Sequence, residues 1–170
     1  ALHCNKKLFR EAGLDPERPP RSIAELEEFN EKLTQRNPDG TIKGYKLDDY
    51  NIDNIPPGKV LLAALDRGVK NDAYVTAVKT LREQMRTHPR TSEGGFWHKK
   101  RYPHQMWLDG LYMASPFLGQ YAGLFQEPAL FDDVAKQIIL MDRHSDDPAT
   151  GLFWHAWDEA HAQSWADPQT

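Results

Sequence analysis

The sequence is poor in cysteine and in long apolar runs, and these absences exclude several classes of protein. Cys4 is the single cysteine among 170 residues, so the chain lacks the second thiol of a disulfide, a redox pair or a two-cysteine zinc site. No apolar run reaches the length that a membrane-spanning helix needs. The formal net charge of −4 gives no basic surface for nucleic acid. We therefore expect neither a membrane nor a nucleic acid as partner.

The remaining composition is that of an ordinary globular protein. Hydrophobic residues make up 39% and charged residues 27% of the chain, which is enough for one core or for one core with a small appendage. The chain opens at Ala1 without a basic and apolar leader. We expect a cytoplasmic location.

Residues 1–43 are polar and punctuated by turn residues. Their pattern predicts a short helix ending at Gly13, a proline-rich connection and a second helix. Ser22 and Glu25 form a capping box at the start of that second helix, because each side chain can satisfy a backbone donor there. The turn sequence NPDG at residues 37–40 predicts its end.

A repeat runs through the rest of the chain. The string AYVTAVK at residue 73 resembles LFDDVAK at residue 130, and GGFWH at residue 94 recurs as GLFWH at residue 151 with the same spacing. Each unit is predicted to be a helix, a loop that carries glycine and Phe-Trp-His, and a second helix, which together form an αα-hairpin. Stacked hairpins of this kind build a solenoid or a closed helical toroid.

The two helices of a unit differ in polarity. Residues 70–88 alternate charged and apolar positions, which is typical of an outer helix with one solvated face. Residues 103–123 carry large apolar side chains in nearly every direction round the axis, so we expect protein to enclose this inner helix. The alternation favours a two-layer α/α toroid, with its ligand site at the inner mouth.

Asp109 is a lone carboxylate in the apolar and aromatic run of the inner helix. Apolar neighbours disfavour the charged form of a carboxylate, so we expect Asp109 to hold a proton near neutral pH, as a general acid must. The alternative is an aspartate that hydrogen-bonds a neighbouring loop, with Gly110 leaving room for close backbone approach. The residues alone leave both interpretations open.

Asp53 lies just before Pro56-Pro57, which mark a helix start. Asp53 or Asn54 can serve as the N-cap of that helix, which explains the residue without any chemistry. An inner-layer helix starting here would also place Asp53 at the same mouth as Asp109. Two carboxylates on neighbouring inner helices are the usual apparatus of glycoside hydrolysis.

Histidine and tryptophan residues belong to the same predicted region. His98 and His155 each follow Phe-Trp directly, and this repetition favours a packing role for both. Trp107 offers an aromatic face that suits a sugar ring. The string HAWDEAH, which ends at His161, lacks the spacing of zinc helices, so we predict no metal site. The basic run at residues 99–101 is typical of a solvated face, or it attracts an anionic substrate.

Four longer strings carry a resemblance to a known family: YKLDDYNIDNIPPGK, RTSEGGFWHKKRYPHQMWLDGLYM, LFDDVAKQIILM and TGLFWHAWDEAHAQSWADP. Over residues 45–170 the chain resembles the unsaturated rhamnogalacturonyl hydrolases, glycoside hydrolase family 105 within the 88/105 group. The resemblance implies an all-α fold, with a partial (α/α)6 barrel of stacked αα-hairpins over residues 44–170 and a short helical appendage at residues 1–43. It also implies a bacterial glycosidase of pectin degradation that needs no cofactor.

The resemblance implies a reaction and a role for each candidate residue. The substrate is an unsaturated galacturonyl-rhamnose oligosaccharide, and the enzyme hydrates the 4,5-double bond of its terminal unsaturated galacturonyl residue. Asp109 matches the acid that protonates C4 and then accepts a proton from the water adding at C5, after which the hemiketal collapses and releases the sugar. The second catalytic carboxylate matches Asp53, and substrate-binding residues match His98, Trp107 and His155.

Two departures from the family keep other functions open. A closed ring needs more helices than we expect here, and exposed inner helices predict self-association. Residues 1–43 resemble instead a segment of the bacterial extracellular solute-binding proteins of sugar ABC transporters, a combination that a join between neighbouring genes would produce. The alternatives are therefore an inactive truncated or chimeric product, or a carbohydrate-binding component of a sugar transporter.

Overall fold

Helices dominate the computed structural model, which describes residues 5–35, 38, 43 and 45–166. The helices are α1 (Lys6–Glu11), α2 (Ile23–Leu33), α3 (Pro56–Asp66), α4 (Asp72–Thr87), α5 (Leu108–Phe125) and α6 (Ala129–Ser145). The strands are β1 (Gln105–Trp107), β2 (Asp146–Asp147), β3 (Leu152–Phe153) and β4 (Ala156–Asp158). The chain divides into two units, Ala1–Tyr45 and Lys46–Thr170.

The first unit is the predicted pair of short helices. Helix α1 ends two residues before Gly13, whose φ of 70° lies in the left-handed region that favours glycine. Phe9 of α1 meets Phe29 of α2 edge to face, with ring centroids 5.9 Å apart, and Leu14 completes the small core. The predicted NPDG turn lies outside the described residues, apart from Pro38.

The capping of α2 confirms the predicted box with one change of partner. The Glu25 backbone N–H donates to the Ser22 Oγ at 3.1 Å. The Glu25 carboxylate accepts from the backbone N–H of Arg21 at 2.7 Å, one residue before the expected donor. Both backbone donors are therefore satisfied by side chains, which is the physical basis of the signal.

The second unit consists of stacked αα-hairpins, which confirms the predicted all-α class. Helix α3 packs on α4 and on α5, and α5 packs on α6. Helix α4 begins where the Asn71 side chain accepts from the N–H groups of Ala73 and Tyr74, and it buries one face that includes Val78 and Met85. Its charged residues remain on the other face, as predicted for an outer helix.

The inner helix α5 differs from the prediction in two ways. It begins at Leu108 and not at residue 103, because residues 105–107 form strand β1. The expected full enclosure is wrong, since a stripe along the helix is exposed and contains Asp109, Tyr112, Pro116, Gln120 and Gly123. Helices α3 and α6 pack on α5, and Lys59 of α3 lies over the Tyr112 ring, but Tyr112 stays 71% exposed. Self-association through this stripe stays a prediction.

The strands connect the two repeat units. Strand β1 pairs antiparallel with β4, so that Trp107 lies opposite Ala156, and β2 pairs with β3. The hydrophobic pattern did not predict these strands, because each has only two or three residues. The β1–β4 ladder holds the start of α5 against the second repeat loop. Among the described helices, none combines the length and apolarity that crossing a bilayer requires.

Candidate active site

Three chain segments meet at the start of α5, and backbone hydrogen bonds hold them together. Ile52 N–H donates to the His98 carbonyl at 3.1 Å, and Lys100 N–H donates to the Tyr50 carbonyl at 3.0 Å. Leu108 N–H donates to the His155 carbonyl at 3.0 Å. These bonds bring Asp53 beside His98 and bring His155 beside Asp109.

Asp53 does not cap helix α3. It lies in a short 3-10 helix, Ile52–Asn54, where its backbone N–H donates to the Asn51 side chain at 3.0 Å. The N-cap of α3 is Ile55, which offers no side-chain hydrogen bond to the helix. The capping interpretation of Asp53 and Asn54 is therefore wrong, and the Asp53 carboxylate is available for other contacts.

The Asp53 carboxylate is half-exposed and faces two nitrogen groups. His98 Nε2 lies 3.1 Å from Asp53 Oδ1, and Lys99 Nζ forms an ion pair with Asp53 Oδ2. Its place in a basic run had suggested that Lys99 belongs to a solvated face. The ion pair with Asp53 shows that it does not. Two donors from one loop fix the position of this carboxylate at the mouth of the site.

His98 is the buried centre of the site, with only 2% of its surface exposed. Its ring stacks on Trp107 with centroids 4.4 Å apart and an angle of 6° between planes. A Cβ on Gly110 would lie 2.8 Å from His98 Nδ1, so the absence of a side chain there permits this packing, as expected. Burial lowers the pKa of His98, while the charges of Asp53 and Asp109 act to raise it.

Asp109 lies in the first turn of α5, and 48% of its side chain is exposed. The expected shelter by apolar side chains is wrong, because Asp109 belongs to the exposed stripe of the helix. Its Oδ2 atom lies 3.9 Å from His155 Nε2, which is beyond hydrogen-bond distance. Asp53 nevertheless contacts His98 and Asp109 lies beside His155, and both imidazoles lie against Trp107, so the two predicted carboxylates border one aromatic cluster.

Trp107 is surrounded by further aromatic side chains. Tyr102 stacks on it at 5.5 Å and 13°, and Trp165 meets it edge-on at 5.5 Å and 90°. The His155 ring lies 5.4 Å from Trp107 and is half-exposed. Sequence reasoning missed Tyr102 and Trp165, although both lie within the strings that carry the family resemblance. The group forms a partly exposed aromatic wall beside the two carboxylates.

A polar groove borders the site on the side of Lys99. Its volume is about 590 Å3, and it is lined by Asp48, Asp49, Asn51, Lys99, Lys100, Arg101 and Tyr102. Lys100 and Arg101 are exposed in it, in agreement with the expected solvated run. Lys99 and Tyr102 line this groove and also contact Asp53 and Trp107, respectively, so the groove adjoins the candidate site.

The HAWDEAH string has a structural explanation at its centre. Asp158 is buried, and its carboxylate accepts from the N–H groups of Ala160 and Ala162, each at 3.0 Å. Asp158 therefore closes the turn after β4. Within the described parts of the chain, no group of three or more His, Cys, Asp or Glu residues is placed to hold a metal ion.

Comparison with known proteins identifies the family to which this arrangement belongs. Residues 24–170 match the family model described as Glycosyl Hydrolase Family 88. The unsaturated rhamnogalacturonyl hydrolase YesR of Bacillus subtilis (strain 168) is 29% identical over 118 residues, which cover 66% of this chain and 34% of that protein. This chain therefore spans about a third of the length of its curated relative.

Solved structures give the same result. A family 105 glycoside hydrolase from C. acetobutylicum ATCC 824 matches with a TM-score of 0.73 and 39% identity, covering 96% of this chain and 43% of that one. A possible GH105 member from Klebsiella pneumoniae subsp. pneumoniae MGH 78578 is 22% identical with a TM-score of 0.64, over 90% of this chain and 37% of that chain, and supports the fold alone. The predicted partial α/α barrel is confirmed.

The family match begins earlier than the sequence strings suggested. It starts at residue 24, within the segment that resembles solute-binding proteins, and the C. acetobutylicum structure covers nearly the whole chain. The resemblance of residues 1–43 to solute-binding proteins stays a prediction, as does the boundary between residues 43 and 44.

Proposed function

The chain belongs to glycosyl hydrolase family 88, and we propose that it acts on unsaturated rhamnogalacturonan oligosaccharides and releases their terminal unsaturated galacturonyl residue. The observation that carries this proposal is the placement of Asp53 beside His98 and of Asp109 beside His155, two imidazoles that both lie against the Trp107 ring. Two carboxylates at one aromatic-walled mouth suit chemistry on a sugar ring. The name of the B. subtilis relative supports the substrate class.

In this proposal, Asp109 exchanges protons with the substrate. It would donate a proton to C4 of the 4,5-double bond, which leaves a cationic centre at C5, and then accept a proton from the water that adds to C5. Asp109 suits this role because its side chain is half-exposed and its contact with His155 is long, so a substrate can reach the carboxylate. The assignment of Asp109 as the acid is therefore supported by the exposure of its side chain to a substrate, and not by burial.

Asp53 takes the complementary role. His98 and Lys99 hold its carboxylate in a fixed position, where its negative charge can stabilise the cationic centre or orient the attacking water. The Trp107 ring, which stacks on the buried His98, and the half-exposed His155 would contact the sugar ring. The neighbouring groove, with Lys100 and Arg101, supports an acidic substrate, because cations attract its carboxylates.

The proposal is tested by the ultraviolet absorbance of the substrate's double bond. The protein is incubated with an unsaturated rhamnogalacturonan disaccharide, and hydration is expected to remove the absorbance with time. Asp109→Asn should lower the rate by roughly 100-fold or more, because the amide cannot donate the proton. Asp142→Asn is the matched control, since it removes an exposed carboxylate from the outer helix α6 and should leave the rate unchanged.

Each other outcome points to a different function. Full activity in Asp109→Asn would remove Asp109 from the acid role. No turnover in the unmodified chain, with no binding of disaccharide, would favour the inactive truncated or chimeric product. Binding of saturated oligosaccharides without turnover would favour a carbohydrate-binding component of a transporter. A cytoplasmic location likewise stays a prediction, which fractionation of the source cells would test.

A further inference from the structure

A small cavity lies between the His98 ring and helix α5, beneath the candidate site. Its volume is about 10 Å3, which is roughly the space of one water molecule. Most of its lining is apolar and comes from Ile52, Phe96, Met106, Leu111 and Ala114. His98 and Ser115 also line it, and they are 2% and 8% exposed, respectively.

His98 and Ser115 each contribute a buried polar atom that lacks a hydrogen-bond partner among the described residues. These atoms are His98 Nδ1 and Ser115 Oγ. The other polar side chains of the lining are satisfied: the Gln137 amide binds Phe96 N–H and the Gly94 carbonyl, and Trp107 Nε1 donates to Gln105. A buried polar atom without a partner is unfavourable, and both residues that carry such an atom line the same cavity.

The protonation of His98 determines which kind of partner can form hydrogen bonds with His98 Nδ1 and Ser115 Oγ. His98 Nε2 lies 3.1 Å from the Asp53 carboxylate, which only accepts, so Nε2 carries the hydrogen and donates it. In the neutral ring Nδ1 is then an acceptor. The Ser115 hydroxyl can donate to a water oxygen, and the same water can donate to Nδ1. A small molecule with both a donor and an acceptor therefore has the hydrogen-bonding groups that the two atoms need.

We propose that this cavity is a binding site for one water molecule, which links Ser115 to His98. The chain of hydrogen bonds runs from Ser115 Oγ–H to the water, from the water to His98 Nδ1, and from His98 Nε2–H to Asp53. Ser115 is thus a positioning residue, which acts through the water to hold His98 in the tautomer that donates to Asp53. This site stands whether or not the proposed reaction occurs.

The water can be detected by NMR on the isotopically labelled chain. We expect a cross-peak between a slowly exchanging water and the Hα protons of Gly110, because Gly110 lies directly against His98 Nδ1. The 15N spectrum of His98 should show a protonated Nε2 and an unprotonated Nδ1 at neutral pH. Ser115→Ala removes one of the two polar partners, so the water cross-peak should be lost.

Ser145→Ala provides the matched control. Ser145 is also a buried helical serine, but its hydroxyl donates to the Met141 carbonyl in α6, outside the cavity. The cross-peak should persist in this variant. A wild-type protein without the cross-peak, a protonated Nδ1, or an undiminished cross-peak in Ser115→Ala would each overturn the proposal. The wild-type measurement decides alone if Ser115→Ala does not fold.

Discussion

The loops at residues 94–98 and 151–155 carry nearly the same sequence but lie in different surroundings. Phe96 is 4% exposed and Phe153 is 52% exposed. His98 is 2% exposed and stacks on Trp107, whereas half of the His155 side chain is exposed beside Asp109. One copy of the loop belongs to the core of the molecule, and the other forms an open wall of the candidate site.

The backbone of the two loops is nevertheless similar. Gly94 and Gly151 both have a positive φ, of 91° and 68°. Trp97 N–H donates to the Pro89 carbonyl at 3.0 Å, and Trp154 N–H donates to the Ser145 carbonyl at 2.7 Å, so each loop returns to the end of its preceding helix. Local sequence therefore sets the turn, and the neighbouring elements set the role of the side chains.

Removing the phenylalanine ring from each loop tests the difference directly. Phe96→Ala should lower the free energy of unfolding by about 3–5 kcal/mol, because it leaves a cavity in the core. The substitution also removes the stacking partner of Arg90, whose guanidinium carbon lies 3.9 Å from the centroid of the Phe96 ring. Phe153→Ala should change the value by less than about 0.5 kcal/mol. Urea unfolding followed by circular dichroism measures both, and equal effects would contradict the comparison.

Acid should destabilise the first repeat unit through His88, which lies at the end of α4 and donates from Nε2 to the Trp97 carbonyl. Burial lowers the pKa of His88 to about 4, against 6.5 in its absence. Below pH 6.5 His88 binds a proton in the unfolded chain, whereas in the folded chain it stays neutral until the pH approaches 4. The free energy of unfolding therefore falls as the pH falls from 6.5 to 4. The loss should approach roughly 3 kcal/mol.

The contribution of His88 can be isolated by substitution. In His88→Gln, the free energy of unfolding should depend less on pH between 6.5 and 4 than in the wild type. His144→Gln is the matched control. His144 occupies the equivalent place in the second sequence repeat, and it binds Glu93 at 2.8 Å near the surface. An unchanged pH dependence in His88→Gln would show that His88 takes up its proton in the folded state.

Gly94 and Gly151 should respond alike to substitution, because the two loops have a similar backbone at these residues. Gly94→Ala and Gly151→Ala each place a side chain at positive φ and should cost about 1–2 kcal/mol. The new methyl group at residue 94 meets the flexible end of Lys136, and at residue 151 no atom of the described residues lies within 4 Å of it. Thermal or urea unfolding measures both costs, and a large difference would show that the two turns are not equivalent.

Much of the candidate site was predictable, but its surroundings were not. The sequence predicts Asp53, His98, Trp107, Asp109 and His155 as site residues. They come together because backbone hydrogen bonds join Ile52 to the His98 loop and join the His155 loop to the start of α5. The sequence gives no signal for the β1–β4 ladder or for the contact of Asp53 with Lys99, because both depend on segments that are distant in the chain. The burial of Asp109 was wrongly predicted for the same reason, since an apolar composition does not say which face of α5 is covered.

The helices, the cap of α2, the repeated hairpin and the family could be read from the amino-acid sequence, because these depend on neighbouring residues and on strings that can be compared directly. Which copy of Phe-Trp-His is buried and which is exposed depends on contacts that form only in the folded chain. Burial depends on what packs against a side chain, and the Phe96 ring packs against His88 and Arg90, while Gln137 of α6 accepts its backbone N–H at 2.8 Å. Two nearly identical loops can therefore serve one site in different ways.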